Sequence, residues 1–250
     1  MSDAAQPWRA SVITLMPDMY PGPLSHSLIG DAHARGIWSL DVIHLRDFGV
    51  GKHQQVDDTP YGGGAGMVIK PDVVDAAIEA AAARNPGATL IHLSPRGEQL
   101  TQAHFIELSK APLTLICGRY EGIDQRVLDK HHVREISLGD FVITGGDLAA
   151  MVLIEGCVRL LPGVVGDEAS LAEESFGIHG RYAHLLEYPL YTKPAEWEGR
   201  AVPEVLTGGH HANIDAWRLA QAEALTQARR PDLWSRYREH FPEIIKKKKS

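Results

Sequence analysis

Residues 113–122 read LTLICGRYEG, an apolar run that ends in a loop containing two glycines. Short runs rich in Val, Ile and Leu are typical of strands that are buried in a parallel sheet. The chain contains three more runs of this kind. We therefore predict four strands in the first half of the chain: Ser11–Met16, Ser39–Leu45, Ala88–Leu93 and Leu113–Cys117.

Helical patterns separate these strands. Pro71–Arg84 is rich in alanine, and Pro71 stands at the first helical position, where its missing N–H costs nothing. Thr101–Ser109 and Gly122–Lys130 are further predicted helices, and Gly145–Leu161 is a largely apolar one. Strands that alternate with helices indicate an α/β fold, with a parallel sheet covered by helices on both faces.

The texture of the chain changes after Pro162. Residues 167–191 are rich in Glu, Gly, His and Tyr and lack long apolar periodicity, which is typical of a linker. Beyond Pro194 a helix capped by Asn213 is predicted, and Pro231 ends it before a further short helix. We predict a first domain over 1–166, a linker over 167–191 and a small all-helical domain over 192–250.

Composition excludes several classes of protein. Hydrophobic residues make up 44% of the 250 positions, which is enough for a packed core. No apolar run approaches the length of a membrane span, and Met1–Ala10 does not resemble a secretory signal. Cys117 and Cys157 both lie in apolar runs, so we expect reduced core thiols. These features predict a cytoplasmic protein.

The charge is unevenly distributed. A net charge of −7 argues against a protein that binds nucleic acid with its whole surface. Arginines and lysines recur near the C-terminus, however, and a local basic face can bind phosphates on an acidic protein. The run Lys246–Lys249 is also explained by a solvated tail.

Glycine-containing loops follow three of the apolar elements: Leu93–Gly97, Cys117–Gly122 and Ser137–Asp147. Open α/β sheets bind ligands at the carboxyl ends of their strands. Backbone groups from all three loops would therefore line one pocket for a small molecule. Three ordinary turns between strands and helices remain the alternative.

A fourth glycine-rich segment, Tyr61–Met67, reads YGGGAGM. It has neither the Gly-Lys-Ser/Thr ending of a P-loop nor a dinucleotide fingerprint. It follows Asp57 and Asp58, whose carboxylates can accept hydrogen bonds from a base edge. The segment is therefore a candidate base-recognition loop or a plain surface turn. The adjacent pairs His131-His132 and His210-His211 make poor chelates, and no metal site is predicted.

These motifs, in this order, resemble the bacterial tRNA (guanine-37-N1)-methyltransferases, the TrmD family of the knotted SPOUT methyltransferases. The resemblance extends over nearly the whole chain. The matching blocks are Thr14–Met19 (TLMPDM), Arg46–Phe48 (RDF), Val56–Met67 (VDDTPYGGGAGM), Leu93–Gly97 (LSPRG), Cys117–Asp124 (CGRYEGID), Ser137–Asp147 (SLGDFVITGGD), Pro162–Val164 (PGV), Tyr191–Pro194 (YTKP), Trp217–Arg218 (WR) and Arg229–Pro231 (RRP).

The resemblance implies a deep trefoil knot in the first domain, a feature that composition cannot indicate. It also implies that S-adenosylmethionine binds in a bent shape, held mainly by backbone groups of the three loops. The implied donor-binding residues are Leu93, Ser94, Pro95, Gly118, Tyr120, Glu121, Gly122, Leu138, Gly139, Asp140, Phe141, Val142, Ile143, Gly145 and Gly146.

The resemblance further implies a homodimer whose active sites are built from both subunits, with tRNA as the substrate. Mg²⁺ is associated with the family's reaction, and carboxylates and water would hold it loosely. The implied tRNA-binding residues are Asp57, Asp58, Tyr61, Gly62 and Gly63 in the base-recognition loop, and Arg218, Arg229 and Arg230 in the helical domain.

The chemistry of the reaction defines two catalytic roles. N1 of guanine carries a proton at neutral pH, so the enzyme needs a base near N1 and a positive group near O6. Arg159 matches the family's catalytic arginine and would stabilise charge on O6; a structural cation at the helix terminus is the alternative.

The base is where the sequence departs from the family. Glu174 precedes Ser175-Phe176 at a position where the family has Asp. Other carboxylates could take the role: Asp167, Glu168, Glu173 and Glu187. The segment Gly177–His184 is also longer than in the family and adds His179, Arg181 and His184, which would contact phosphate or remain solvated.

The predicted activity is methylation of N1 of guanosine 37, next to the anticodon, with guanosine 36 as context. One alternative is a knotted methyltransferase that modifies a ribose or another base. A second alternative is a non-catalytic RNA-binding module that retains a vestigial donor pocket.

Overall fold

The computed structural model describes residues 6–166, 174–177 and 180–241. The chain divides into two compact units, Met1–Gly166 and Asp167–Ser250. The predicted tail Lys246–Lys249 and the carboxylates Asp167, Glu168 and Glu173 lie outside the described residues, as does His179.

A five-stranded parallel sheet forms the centre of the first unit. In chain order its strands are β1 (Trp8–Thr14), β2 (Trp38–His44), β5 (Thr89–Gln99), β6 (Leu113–Ile116) and β7 (Arg134–Ser137), and they are arranged as β2-β1-β6-β5-β7. A separate antiparallel pair consists of β3 (Asp57–Asp58) and β4 (Val68–Ile69). All pairings within the central sheet are parallel.

Helices cover both faces of this sheet, which confirms the predicted α/β fold with a parallel sheet. They are α1 (Ser27–Ala34), α2 (Pro71–Arg84), α3 (Gln102–Leu108), α4 (Gln125–Lys130) and α5 (Asp147–Val158). Neighbouring strand residues point to opposite sides, so Val12 lies in the core shared with α1, α3 and α5, while Ile13 lies in the core shared with α2 and α4.

Several element boundaries differ from prediction. The helix predicted from Gly122 begins at Gln125, because the Asp124 carboxylate caps it by accepting from the Arg126 N–H at 2.9 Å. β7 was not predicted, since its four residues include the charged Arg134 and Glu135. The strand predicted over Ala88–Leu93 continues to Gln99 as β5, with a shift of register after Leu93.

The second unit contains a two-stranded hairpin and two helices. Its elements are β8 (Glu196–Trp197), β9 (Arg200–Ala201), α6 (His211–Arg229) and α7 (Pro231–His240). The hairpin corrects the prediction of an all-helical domain, and its two-residue strands were too short to show alternation. α6 begins two residues before Asn213, so Asn213 is not its cap.

Part of the segment predicted to be a linker belongs to the core of this second unit. Tyr182, Leu185 and Tyr188 are buried in one cluster with Ala222 of α6 and Tyr237 of α7. The Thr226 hydroxyl also accepts from the Leu186 N–H at 2.8 Å. Tyr182, in the Gly177–His184 segment, therefore has a structural role in this unit.

Both thiols are buried and free, as predicted. Burial raises the pKa of Cys157 to about 12 and raises the pKa of Cys117 further. Across the parts of the chain that the structure describes, none of the helices combines the length and apolar character that crossing a bilayer requires.

Candidate active site

A cavity of about 350 Å³ opens where the chain leaves β5, β6 and β7. Three segments line it: 92–96, 118–123 and residues between 136 and 146. All predicted donor-binding residues line this cavity except Gly139 and Asp140. The Ser137 hydroxyl donates to the Gly139 carbonyl at 3.1 Å and accepts from its N–H at 3.2 Å, so Gly139 forms the turn that leads the chain into the third segment.

The first segment is an excursion from β5. Ile136 of β7 pairs with Leu93 and then again with Glu98, so Ser94–Gly97 leaves the plane of the sheet. A Cβ on Gly97 would lie 2.3 Å from the Ile136 nitrogen, which only glycine avoids. The close approach at Gly97 therefore directs Ser94 and Pro95 toward the cavity.

The second and third segments are joined by their backbones. The Gly146 N–H donates to the Gly118 carbonyl at 2.9 Å. A Cβ on Gly146 would lie 2.9 Å from the Cα of Cys117, so a side chain at this position would push the two segments apart. This contact holds the entrance to α5 against the end of β6.

His92 also lines the cavity and was not predicted. It is 4% exposed, and its Nδ1 lies 3.0 Å from the Ile116 carbonyl, to which it donates. Burial lowers the pKa of His92, so the ring is neutral and its Nε2 is an acceptor. The only sequence signal that His92 belongs to the cavity is its position next to Leu93, a predicted donor-binding residue. Other lining residues that were not predicted are Arg96, Arg119, Ile123, Ile136, Ser137, Thr144 and Ala149.

The candidate base-recognition loop is the connection between β3 and β4. Asp57 and Asp58 form β3, and Tyr61, Gly62 and Gly63 follow in an exposed loop where Tyr61 is 100% exposed. The far end of the loop pairs with the second cavity segment. The Glu121 N–H donates to the Met67 carbonyl at 3.0 Å, and the Ile69 N–H donates to the Gly122 carbonyl at 2.9 Å. Glu121 and Gly122 therefore line the cavity and also form the hydrogen bonds that hold the end of the loop.

Arg159 lies at the other end of α5 from the cavity. Gly146 precedes the first residue of α5, and Arg159 caps its C-terminus. A helix of this length spans about 18 Å. Arg159 instead lines a separate groove of about 370 Å³ together with Leu28, Val152 and Glu155. Within one chain, the predicted catalytic arginine and the predicted donor site are therefore at opposite ends of one helix.

Glu174 is half-buried in the second unit. The residues that follow it are held against the segment before Tyr188, since the Ser175 hydroxyl accepts from the Glu187 N–H at 2.9 Å and the Phe176 N–H donates to the Leu185 carbonyl at 3.1 Å. Glu187, the described alternative base, is thus tied through its backbone to the residue next to Glu174.

The predicted tRNA-binding arginines differ in their surroundings. Arg218 lies 4.9 Å from the centre of the Tyr188 ring, and Arg229 is exposed at the end of α6. Arg230 forms a bidentate pair with Asp232 at 2.9 and 2.6 Å, which lowers the pKa of Asp232 to about 2. The charge of Arg230 is therefore already compensated.

Arg181 has a structural partner as well. Its guanidinium donates to the Tyr182 hydroxyl at 3.0 Å and to the Asp215 carbonyl at 3.3 Å. This additional arginine therefore ties the Gly177–His184 segment to α6.

A cluster of ligating groups lies outside the cavity. Asp75, Glu79 and His131 each offer an atom within 4.8 Å of the others. The Asp75 carboxylate is already 2.5 Å from both the Lys130 ammonium and His131, and these hydrogen bonds hold its pKa below the usual range. An ion-pair network accounts for this cluster.

Comparison with known proteins gives the family. A family model described as tRNA (Guanine-1)-methyltransferase TrmD matches residues 8–236. The chain belongs to the TrmD family. Three similar proteins, each named tRNA (guanine-N(1)-)-methyltransferase, come from Rhodospirillum rubrum, Rhodopseudomonas palustris and Ruegeria pomeroyi. They are 58%, 56% and 54% identical to this TrmD-family chain, and the aligned regions cover 92%, 91% and 92% of it and 93%, 88% and 93% of the relatives.

The resemblance seen in the sequence is thereby confirmed. The matched region includes every segment that lines the cavity and most of the second unit. The position of Glu174 lies inside it, so the acid there is part of a TrmD-family domain.

The buried His92 should make the stability of this TrmD-family chain depend on pH. Because its pKa is lower in the folded than in the unfolded chain, stability is lost as pH falls below about 6.5, where only the unfolded ring gains a proton. Thermal unfolding of wild type and of His92→Phe at pH 7 and pH 5 tests this. His92→Phe should lose less stability than wild type between pH 7 and pH 5. Replacement of the exposed His53 should give the same loss of stability as wild type. Parallel losses in wild type and His92→Phe would contradict this role of the ring.

Proposed function

We propose that the chain transfers a methyl group from S-adenosylmethionine to N1 of guanosine 37 of tRNA. The observation that carries the proposal is the convergence of the Ser94–Gly97, Gly118–Gly122 and Ser137–Asp147 segments on one cavity in a TrmD-family chain. The cavity has the size of a small-molecule site and is lined by both polar and apolar groups.

The residues around the cavity fit the donor. Gly118, Gly145 and Gly146 contribute no side chains to the lining, and a backbone hydrogen bond joins Gly118 to Gly146. Peptide groups in such a wall can bind the hydroxyl, amino and carboxylate groups of the donor in a fixed shape. When bound, the donor supplies an electrophilic methyl group on a sulfonium. The trefoil knot of the family is part of this proposal, and the contact of residues 145–147 with the end of β6 supports it.

Two residues of the chain carry the proton chemistry in this proposal. Glu174 accepts the proton from N1 of guanine as the methyl group is transferred, and Arg159 stabilises the negative charge that moves onto O6. The extra methylene of Glu174 relative to the Asp of the family requires a compensating position of its backbone, because about 1 Å of misplacement can cost roughly a hundredfold in rate. Its half-buried position beside the anchored Ser175 is consistent with a carboxylate that is held in place.

The position of Arg159 supports a homodimer. One chain separates Arg159 from its own cavity by the length of α5, so an arginine that acts on the bound guanine has to come from a second copy. α5 carries an exposed stripe of Leu148 (56% exposed), Val152 (44% exposed) and Glu155, and the half-buried Arg159 at its C-cap continues the stripe at helical spacing. Exposed apolar residues beside an apolar groove are typical of a protein interface, and a second copy is the occupant that also brings the arginine to a cavity.

The tRNA contacts are proposed for two regions. The loop from Asp57 to Gly63 is exposed and joined to the cavity segment, which suits the reading of bases beside the methylated one. In the second unit, Arg218, Arg229 and Arg230 are the proposed phosphate contacts, and Arg230 would have to give up its pair with Asp232 to make one. A requirement for Mg²⁺ and a cytoplasmic location stay predictions.

The activity is tested with tRNA transcripts that carry guanosine or adenosine at position 37, together with labelled donor. Only the guanosine transcript should be labelled, and a nucleoside digest should give 1-methylguanosine. Equal labelling would overturn the assignment to position 37, and a 2′-O-methyl product would favour the ribose methyltransferase. Donor binding without any turnover would favour the non-catalytic RNA-binding module.

Replacement of Arg159 with Ala should reduce turnover by about a hundredfold or more, because charge on O6 loses its stabilising group. The affinity for the donor should change little, since Arg159 does not line the cavity. Single-turnover kinetics and donor titration measure the two effects. A large loss of donor affinity would contradict the role.

A mixing experiment shows whether Arg159 acts on the cavity of its own chain or on the cavity of the second copy. Arg159→Ala is co-expressed with a donor-pocket variant, Gly118→Val, each of which is inactive alone. Mixed dimers contain one intact site if Arg159 acts across the interface, so about a quarter of wild-type activity should return. No recovery in verified mixed dimers would sink the shared active site.

Replacement of Glu174 with Gln should abolish proton removal and lower turnover by at least about a hundredfold, while donor binding stays intact. Glu174→Asp should retain substantial activity, because it restores the acid of the family with a shorter side chain. Rates measured across pH identify the base. Near-normal activity of Glu174→Gln would move the role to another carboxylate, with Glu187→Gln as the matched test.

A further inference from the structure

A buried carboxylate belongs to Asp147, the residue that follows two glycines of the cavity lining. Asp147 is 2% exposed, and its Oδ1 accepts from the Thr14 hydroxyl at 2.5 Å and from the Tyr20 hydroxyl at 3.3 Å. Its Oδ2 is buried and has no hydrogen-bond partner among the described residues. The mechanism proposed above makes no use of this group.

The described contacts of Asp147 supply hydrogen bonds but no positively charged side chain. Thr14 and Tyr20 are both donors to Oδ1, and Asp147 is the first residue of α5, where the partial positive charge of the helix N-terminus stabilises an anion. Burial, and then the neighbouring Cys117 and Asp147, raise the pKa of Tyr20, so its hydroxyl remains protonated. No lysine or arginine of the described chain pairs with Asp147. A buried negative charge without a counter-ion is costly, so a ligand that supplies positive charge nearby relieves that cost.

The cavity lies within a few residues of this charge. Gly145, Gly146 and Ala149 all line it, and Asp147 stands between them in the chain. Consecutive Cα atoms are about 3.8 Å apart, so the carboxylate is close to the cavity wall. Because it is buried, solvent and salt screen its field poorly in that direction.

The two small molecules of the proposed reaction differ in charge at one atom. The methyl donor carries a positive sulfonium, and the demethylated product carries a neutral thioether. We propose that the buried carboxylate of Asp147 makes the cavity prefer the cationic donor over the neutral product. This inference rests on the proposed function. It assigns to Asp147 a selectivity role that acts through space, without contact with either ligand.

Such a charge would serve turnover. Apart from the sulfonium charge, donor and product offer the cavity the same groups, so product would compete with donor. Glu121, Arg96 and Arg119 also line the cavity, so the share of the preference that is due to Asp147 is the share that its substitution removes. When the methyl group is transferred, the sulfonium charge is lost and with it the attraction to Asp147. The affinity of the cavity for the product is therefore lower than its affinity for the donor. Thr14 and Tyr20 fix the carboxylate, so the preference is built into the resting protein.

The test is a pair of affinities measured by calorimetry for S-adenosylmethionine and S-adenosylhomocysteine. Wild type should bind the donor more tightly. Asp147→Asn, which keeps the size and can keep the Thr14 and Tyr20 contacts, should weaken the donor about tenfold and change the product less than twofold. Asp147→Glu should retain part of the preference, because it retains the charge. An equal loss for both ligands, or an unchanged ratio, would show that Asp147 is only structural.

Matched controls separate charge from packing. Tyr20→Phe removes one donor to the carboxylate but keeps its charge, so its ratio of affinities should stay close to wild type. If Asp147→Asn does not fold, wild type is tested with a donor analogue whose sulfonium is replaced by a protonated amine. That cation should bind more tightly than the neutral product, and equal binding would overturn the proposal. Failure of wild type to bind donor or product would instead overturn the proposed function.

Discussion

The hydrogen bond from the Gly146 N–H to the Gly118 carbonyl is the contact on which the site depends. It joins the end of the central strand β6 to the start of α5, and it requires two residues without side chains at the crossing. His92 packs against Gly118, and the third segment meets the second at the same point. The cavity wall is therefore bare backbone at this crossing, whereas residues with side chains, among them His92, Tyr120 and Phe141, line the rest.

α5 carries charged residues of opposite sign at its two ends. Its first residue, Asp147, is buried, while the half-buried Arg159 at its other end lines a separate, largely apolar groove. The helix is apolar on its buried sides, where Leu153 and Ile154 pack in the core, and its outward stripe is the surface that a second copy would cover. One rigid element therefore fixes the distance between an anion and a cation that serve different cavities in the proposed dimer.

Much of this arrangement was predictable from the sequence, and the exceptions have physical reasons. Apolar runs and alanine-rich periodicity predicted the α/β fold, and glycines after strands predicted which loops converge, because these signals are local. β7 escaped prediction since its charged residues pair with β5 only in the folded sheet. His92 and the buried environment of Asp147 depend on contacts between distant segments, so their roles had no local signature. The tie between Arg181 and α6 is of the same kind.

The hairpin of β3 and β4 is held by two residues that also line the cavity. Glu121 and Gly122 line the cavity with one side and hold Met67 and Ile69 with their backbone groups. Any occupant that displaces these two residues must also move the stem from which Tyr61 projects. Thermodynamic linkage makes such coupling reciprocal. If a cavity ligand changes the affinity of the hairpin for a second molecule, that molecule changes the affinity of the cavity for its ligand by the same factor. A compound that binds in the cavity with a slightly different shape would therefore displace the tip of the loop that carries Tyr61. Inhibition by such a compound would then also act through the loop.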